Sequence, residues 1–253
     1  MIDPRALAMQ NVSVSIGTCM ILQNISFDVK PSECWGIIGP NGSGKSTLLK
    51  TLLGFLRPCQ GTISIGGRPL RHMPALERSR KMAYVQQEGT SMQGFKVRSF
   101  LELAFHPLIG FQDYGEWQAE CEVLCQEFDL KDKWDFALSV LSGGERQRLM
   151  LVQSLLQKPH ILLLDELTNH LDIYFQLEIL KKLKQLPQTK LMVLHDLNLA
   201  ARFCDRILLL QDGRIFANGE PSAVLNEDSI LRLFGVKSRI HRQAAGISHI
   251  QWG

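Results

Sequence analysis

From residue 11 to residue 38 apolar positions alternate with polar ones: Val12, Val14 and Ile16, then Ile25, Phe27 and Val29. A period of two puts each trio on one face of a strand, and Trp35-Gly36-Ile37-Ile38 adds a short apolar run. After a glycine-rich segment, Leu48, Leu49, Leu52 and Leu53 recur at helical spacing, with Gly54 as a stop signal. The local order is strand, loop, helix. Thr62 to Ile65 reads as a strand closed by the Gly66-Gly67 turn, and Met82 to Val85 as another that leads into polar Gln86-Gln87. Between about residues 96 and 158 the spacing turns helical, through Phe100, Leu103 and Ala104, then Val123, Leu124 and Phe128, then Leu149, Val152, Leu155 and Leu156. This stretch predicts an inserted helical lobe.

Beyond it, Ile161 to Leu164, Leu191 to Leu194 and Ile207 to Leu210 are unbroken apolar runs separated by helical stretches. Such runs suit strands covered on both faces, so the fold class is α/β with a parallel core. Gln211-Asp212-Gly213-Arg214 predicts a tight turn between paired strands, and Pro221 the first residue of a short closing helix. No internal repeat, linker or low-complexity segment interrupts the pattern.

Composition narrows the classes. The 253 residues allow one large domain or two small ones packed as a single body, with 45% hydrophobic, 21% charged and 8% aromatic residues. A formal charge of +3 is too small and dispersed for a dedicated nucleic-acid binder. No apolar run approaches the roughly 20 residues of a membrane span, and the opening MIDPRALAMQNVSVS shows no secretory signal. A cytosolic chain is expected, with its six cysteines (Cys19, Cys34, Cys59, Cys121, Cys125, Cys204) reduced and mostly buried.

Candidate chemistry begins at Gly39-Pro40-Asn41-Gly42-Ser43-Gly44-Lys45-Ser46-Thr47, which fits GxxxxGK[ST] between a predicted strand and a predicted helix. Glycines let successive N–H groups and the helix start face a phosphate, Lys45 adds charge near the β and γ phosphates, and Ser46 offers a hydroxyl to magnesium. Kinases, GTPases and ATPases all remain open at this point. Ile161-Leu-Leu-Leu-Asp165-Glu166 then ends an apolar strand in two carboxylates, one able to hold magnesium and the other to polarise a water. That pair fits hydrolysis better than transfer to a second substrate.

Leu141-Ser142-Gly143-Gly144-Glu145, continuing Arg146-Gln147-Arg148, is a second small-residue loop running into a helix. By itself it also reads as an ordinary capped helix start. As a phosphate-binding surface it has no evident use within one chain, whereas a head-to-tail pair of chains would clamp two nucleotides between two such loops and two phosphate loops.

LSGGERQR together with GPNGSGKST and ILLLDE resembles the ATP-binding subunit of ABC transporters, and the resemblance spans essentially the whole chain. It implies a P-loop NTPase fold: a RecA-like parallel core with an antiparallel β subdomain (about 1–87 and 160–235), an ABC-specific helical lobe (about 88–159) and a short extension (236–253). It further implies ATP and Mg2+ as ligands, with Ser46, Gln87 and Asp165 toward the metal. Glu166 becomes the general base, His195 in LMVLHD the switch histidine toward the γ phosphate, and Gln87, or its neighbour Gln86, the residue that couples nucleotide state to the lobe. Leu141 to Glu145 would meet ATP in trans, and Asp172 in His170-Leu171-Asp172 would sit in the loop that communicates across the dimer. The implied partners are a second ATPase subunit, integral membrane permeases and, indirectly, a solute-binding protein, on the cytoplasmic face of the inner membrane. No nucleic acid is expected. Phe95, Val97, Phe100, Leu101 and Phe105 are candidates for permease contact, with helix core the stronger reading for most.

The chain departs from the family pattern at Ile16, where an aromatic usually stacks on adenine, at Leu167, where proline is usual, and at Gln153, where arginine is common. GFKVRSFLELAFHPLIG, TNHLDIYFQLEIL and LHDLNLAARFCDRILLLQDGRIFANGEP resemble the importer ATPases for iron–siderophore complexes, haem and cobalamin. The alternatives are a metal-ion importer, an exporter or lipid-transport ATPase, and a soluble ABC ATPase of cluster assembly, translation or DNA repair.

Overall fold

The computed structural model describes residues 5–86, 94–168, 171–243 and 246–253. A six-stranded sheet carries the core, in the order β10 (Arg214–Gly219), β9 (Arg206–Gln211), β3 (Cys34–Ile38), β8 (Thr189–Val193), β7 (Ile161–Asp165) and β6 (Met82–Val85). Five strands run parallel and only β10 is antiparallel, joined to β9 by the two-residue turn in which Asp212 and Gly213 both have positive φ. The predicted apolar runs are therefore strands, and the alternation inside them sorts side chains between two cores. Ile38, Leu162, Leu164, Met192, Ile207 and Leu209 face one core. Ile37, Leu163, Leu191, Val193, Leu208 and Leu210 face the other.

The second core is closed by a four-stranded antiparallel sheet in the order β2 (Cys19–Val29), β1 (Leu7–Ile16), β4 (Gln60–Ile65), β5 (Arg68–Pro69). Between the sheets lies α1 (Lys45–Leu52), whose Leu48, Leu49 and Leu52, with Leu53, are buried as the helical spacing predicts. The helix stops where Gly54 turns left-handed at φ 75°. Strand β1 starts at Leu7, four residues before the predicted alternation begins, and Ile16 ends it half-exposed.

The other core holds the helical lobe, α3 (Val97–Glu102), α4 (Tyr114–Glu127) and α5 (Gly143–Leu156), together with α6 (Ile173–Gln185) and α7 (Leu197–Phe203). Two expectations fail here. Leu103 and Val123 are exposed, and α4 buries Trp117, Cys121 and Cys125 instead. Those residues lie four apart and include two cysteines, so the apolar stripe was displaced from the aliphatic positions that suggested it. Helix core does account for Val97, Phe100 and Leu101, which are buried, while Phe95 is exposed. Four cysteines are buried, whereas Cys19 and Cys59 are exposed.

Lys190 is a fully buried cation in a central strand, and its Nζ donates to Leu183 O at 3.1 Å and Leu186 O at 2.7 Å. It thereby satisfies carbonyls at the C-terminus of α6, where a positive charge also suits the helix dipole. Before β6 lies α2 (Ala75–Lys81), whose Arg80 bonds Pro107 O of the lobe, and after β10 the chain continues through α8 (Pro221–Val224), which begins with Pro221 as expected, and α9 (Glu227–Phe234). It ends in a hairpin, β11 (Ser238–Gln243) and β12 (Gly246–Trp252), that periodicity did not suggest. Asn198 of α7 pins it by exchanging hydrogen bonds with the backbone of Ile250.

Candidate functional site

Three parallel strands deliver the candidate residues to one edge of the sheet, at their C-terminal ends, which is where open α/β sheets hold ligands. Strand β3 runs into the loop 39–44 and then α1. A Cβ on Gly39 would run into Leu210 O of the neighbouring strand and Ser43 Oγ, so only glycine lets the loop turn this tightly against β9. Lys45, almost fully buried, folds its Nζ across the loop to Gly39 O at 2.8 Å and Pro40 O at 3.0 Å. Burial pushes its ammonium below the ordinary lysine range, while the nearby carboxylates of Glu166 and Asp165 pull the other way. Ser43 is buried too, and among the described residues its hydroxyl has no hydrogen-bond partner. A buried unpaired hydroxyl beside a lysine and a helix start suits a phosphate oxygen.

Strand β7 brings Asp165 opposite the start of α1. Its Oδ1 lies 3.5 Å from Ser46 Oγ, and its Oδ2 accepts a hydrogen bond from Tyr84 OH at 3.0 Å. Burial raises the Asp165 carboxyl above its usual range, against the lowering effect of the hydrogen bonds from Tyr84 and Ser46. Burial and the adjacent Asp165 charge push the Tyr84 phenol well above its usual range, so it stays a donor. Hard oxygen donors converging from a helix start and a strand end suit magnesium rather than a thiolate- or imidazole-seeking metal.

The next residue, Glu166, has φ 53°, a left-handed backbone that a glutamate rarely adopts. That turn points its carboxylate toward β8, where His195 follows the strand, and His195 Nε2 lies 2.8 Å from Glu166 Oε1. Glu166 is mostly buried and His195 is 43% exposed, so the histidine edges the site while the glutamate lies inside it.

Leu141 is buried, and Ser142 caps α5 in a reciprocal box: its Oγ accepts from Glu145 N, and Glu145 Oε2 accepts from Ser142 N at 2.8 Å. Glu145 also pairs with Lys133 at 3.1 Å, and with the Ser142 backbone bond as the leading cause its carboxyl drops to about 2. Gly144 packs against Leu171, a Cβ there coming 3.3 Å from Leu171 Cδ2, so this loop adjoins the segment that follows β7. In that segment Asp172 caps α6 through Phe175 N at 2.9 Å, and the next two residues, Ile173 and Tyr174, are 75% and 68% exposed. None of the loop 141–145 is within a described hydrogen bond of the Lys45 cluster.

Gln87 lies outside the described residues, as do Asn169 and His170. Leu167 is buried, and Gln153 Nε2 donates to Phe100 O at 3.1 Å, which ties α5 to α3 within the lobe. Two residues of the site carry no signal in the motifs: Tyr84, the donor to Asp165, and Lys133, the partner of Glu145. Tyr84 reaches Asp165 because β6 sits beside β7 in register, Tyr84 opposite Leu163, so its ring meets the carboxylate two residues on, a pairing that no local motif signals.

Comparison with known proteins converges on one family. A family profile described as ABC transporter matches residues 22–169. The "Hemin import ATP-binding protein HmuV" of Escherichia coli O157:H7 is 33% identical over 253 residues, covering 96% of this chain and 97% of the relative. The "Probable siderophore transport system ATP-binding protein YusV" of Bacillus subtilis is 32% identical over 244 residues, covering 93% and 88%. A solved structure of an ATP-binding subunit of an ABC transporter superposes with a TM-score of 0.76 at 30% identity, covering 91% of this chain and 93% of that one. With the phosphate loop, the acidic strand end and the serine–glycine helix start in place, the chain belongs to the ABC transporter family as one of its ATP-binding, ATP-hydrolysing subunits.

Proposed function

We propose that the chain energises uptake of an iron–siderophore, haem or related chelate through a membrane permease, working as a pair of identical subunits. The observation that carries the reading is the convergence of Lys45, Ser46, Asp165, Glu166 and His195 at one sheet edge, together with a capped serine–glycine loop that makes no described hydrogen bond to them. The kinship with hemin and siderophore import subunits supports the cargo class.

The proposed roles follow from position. Loop 39–47 wraps the phosphates with backbone N–H groups and the Ser43 hydroxyl, and Lys45 shifts from the Gly39 and Pro40 carbonyls to the β and γ phosphates. Ser46 and Asp165 would hold magnesium, with Gln87 beside them; the ion supplies charge neutralisation on the phosphates. Glu166 takes the proton of the attacking water, and His195 holds the Glu166 carboxylate and reaches the γ phosphate. Ile16 lies against the adenine by aliphatic contact, without the extra attraction of a stacked ring. Leu141 to Glu145 and Asp172 of a partner copy complete each site, so ATP binding closes the pair and hydrolysis reopens it. We assign the core to about 1–87 and 160–235, the lobe to about 88–159 and the extension to 236–253. Among the described residues no helix is long and apolar enough to cross a membrane, which fits a subunit held beneath its permease at the cytoplasmic face.

The test is affinity capture of tagged Glu166→Gln from native membranes with ATP and magnesium, followed by mass spectrometry. A polytopic permease with a chelate-binding partner system is the expected catch. Capture of soluble proteins alone would overturn the transport assignment, and a permease of exporter type would overturn import.

A further inference from the structure

A second pocket lies at the other end of α1, about 12 Å along the helix from the phosphate loop. It encloses about 490 Å³ between the loop that leaves α1, strand β4 and the segment leading to α2. Arg57, Arg71 and Arg78 line it over an apolar floor of Leu56, Ile63 and Leu70, and no carboxylate residue is among its lining.

The charge here is local, and among the described residues little acid answers it; Arg71 Nε donates only to neighbouring His72 Nε2 at 3.2 Å. Residues 54–81 contain Arg57, Arg68, Arg71, Arg78, Arg80 and Lys81 against Glu77 alone, a net +5 in a chain whose total is +3. Glu77 is already engaged, with both oxygens 2.7 Å from Arg68 Nη1. Arg80 donates to Pro107 O and stacks over Phe111, away from the pocket. Arg78 is half-buried, its guanidinium packed beneath Gly54, where a Cβ would come 3.4 Å from its Cζ. Its Nη1 donates to Met73 O at 3.0 Å, and no carboxylate among the described residues pairs with it, with Arg57 or with Arg71.

Two structural explanations fail to account for the cluster. The carbonyls at the end of α1 are taken by its own closing turn, Leu53 N to Leu49 O, Gly54 N to Thr51 O and Phe55 N to Lys50 O, so the arginines are not needed there. Core packing does not explain it either, since Arg57 and Arg71 are exposed. A partly desolvated guanidinium beside two solvated ones, with no acid, is an arrangement that a multivalent oxyanion completes, because planar guanidinium forks match phosphate oxygens two at a time.

We propose that this pocket is a phosphate site separate from the nucleotide loop, in which Arg57, Arg71 and Arg78 grip the phosphate of an anionic ligand and Leu56, Ile63 and Leu70 take its apolar part. A phospholipid headgroup and a free phosphate ester share that chemistry, and the arms of the test tell them apart.

The full chain, with ADP and magnesium filling the phosphate loop, is titrated with vesicles of phosphatidylglycerol in phosphatidylcholine. Wild type should bind, and Arg57→Ala/Arg71→Ala should bind about 10- to 30-fold more weakly. Arg232→Ala/Arg239→Ala, which removes equal charge elsewhere, should change binding by less than about threefold. Free glycerol 3-phosphate at millimolar concentration then separates the sources: displacement of the protein identifies a site open to soluble esters, and no displacement identifies one that takes the headgroup from the bilayer. Equal ATP turnover by both double variants in solution checks their fold. The proposal is overturned if wild type binds neither vesicles nor glycerol 3-phosphate, if Arg57→Ala/Arg71→Ala binds like wild type, or if the control pair weakens binding as much.

Discussion

The two glycine-rich loops that open helices differ in how far the chain itself answers them. At 39–47 the loop is backed by strands β9 and β7, its lysine is buried and bonded, and Asp165, Glu166 and His195 converge on it from neighbouring strands. At 141–145 the loop bonds chiefly within itself, through the Ser142–Glu145 box, and packs against Leu171, which lies two and three residues before exposed Ile173 and Tyr174. In the proposed pair the first is a half-site assembled from the sheet, and the second is the surface that a partner copy would bring to it. Exposed apolar side chains next to a capped helix start are what a second copy would cover.

The largest effect should come from breaking the first loop at its charge. Lys45→Ala should weaken ATP binding about 100-fold, since it removes a charge-assisted contact to the phosphates. Calorimetric titration with ATP checks it, and the fold should survive because the lost bonds reach only two loop carbonyls.

A smaller effect should follow at the Asp165 clamp. Tyr84→Phe keeps the ring in β6 but releases Asp165 Oδ2, and the loss of one hydrogen bond to a charged group, about 1.5 kcal/mol, should raise the magnesium needed for half-maximal ATP binding about tenfold. ATP binding without magnesium should stay as in wild type, which a merely structural role for the ring would not predict.

The smallest effect sharpens the second loop. Because the Glu145 carboxyl is lowered to about 2 in the fold, its stabilising contribution is present above the unfolded value near 4.5 and fades as pH falls from there toward 2. Thermal melts of wild type and Glu145→Gln should therefore differ at neutral pH and converge across that acid window. A difference unchanged by pH would show that the carboxylate charge is not what holds the box.

Much of this contrast is legible in the sequence. The unbroken runs at 161–164, 191–194 and 207–210 identified the parallel strands because a strand covered on both faces has no polar register to disguise it. The phosphate loop and acidic strand end are local in sequence, so their spacing carries their geometry. What escaped was set by contacts distant in sequence: Tyr84 meets Asp165 only through strand pairing, and Lys133 meets Glu145 through the packing of the lobe. In α4, Trp117, Cys121 and Cys125 form the buried stripe, and a reading that counts aliphatic residues passes over it. Lys190 sits in a central strand against hydropathy, where its ammonium donates to two carbonyls at the end of α6.

In the proposed pair, loop 141–145 of one chain completes the phosphate loop of the other. Light scattering of Glu166→Gln during size exclusion, with and without ATP and magnesium, tests it directly, since the variant should bind ATP and turn over too slowly to reopen. ATP should shift the mass from 28.6 kDa to about twice that value, and adding Ser142→Arg, which places a bulky cation in loop 141–145, should abolish the shift while ATP binding by the single chain persists. A Glu166→Gln chain that binds ATP and stays at the single-chain mass, or a dimer indifferent to Ser142→Arg, would contradict it.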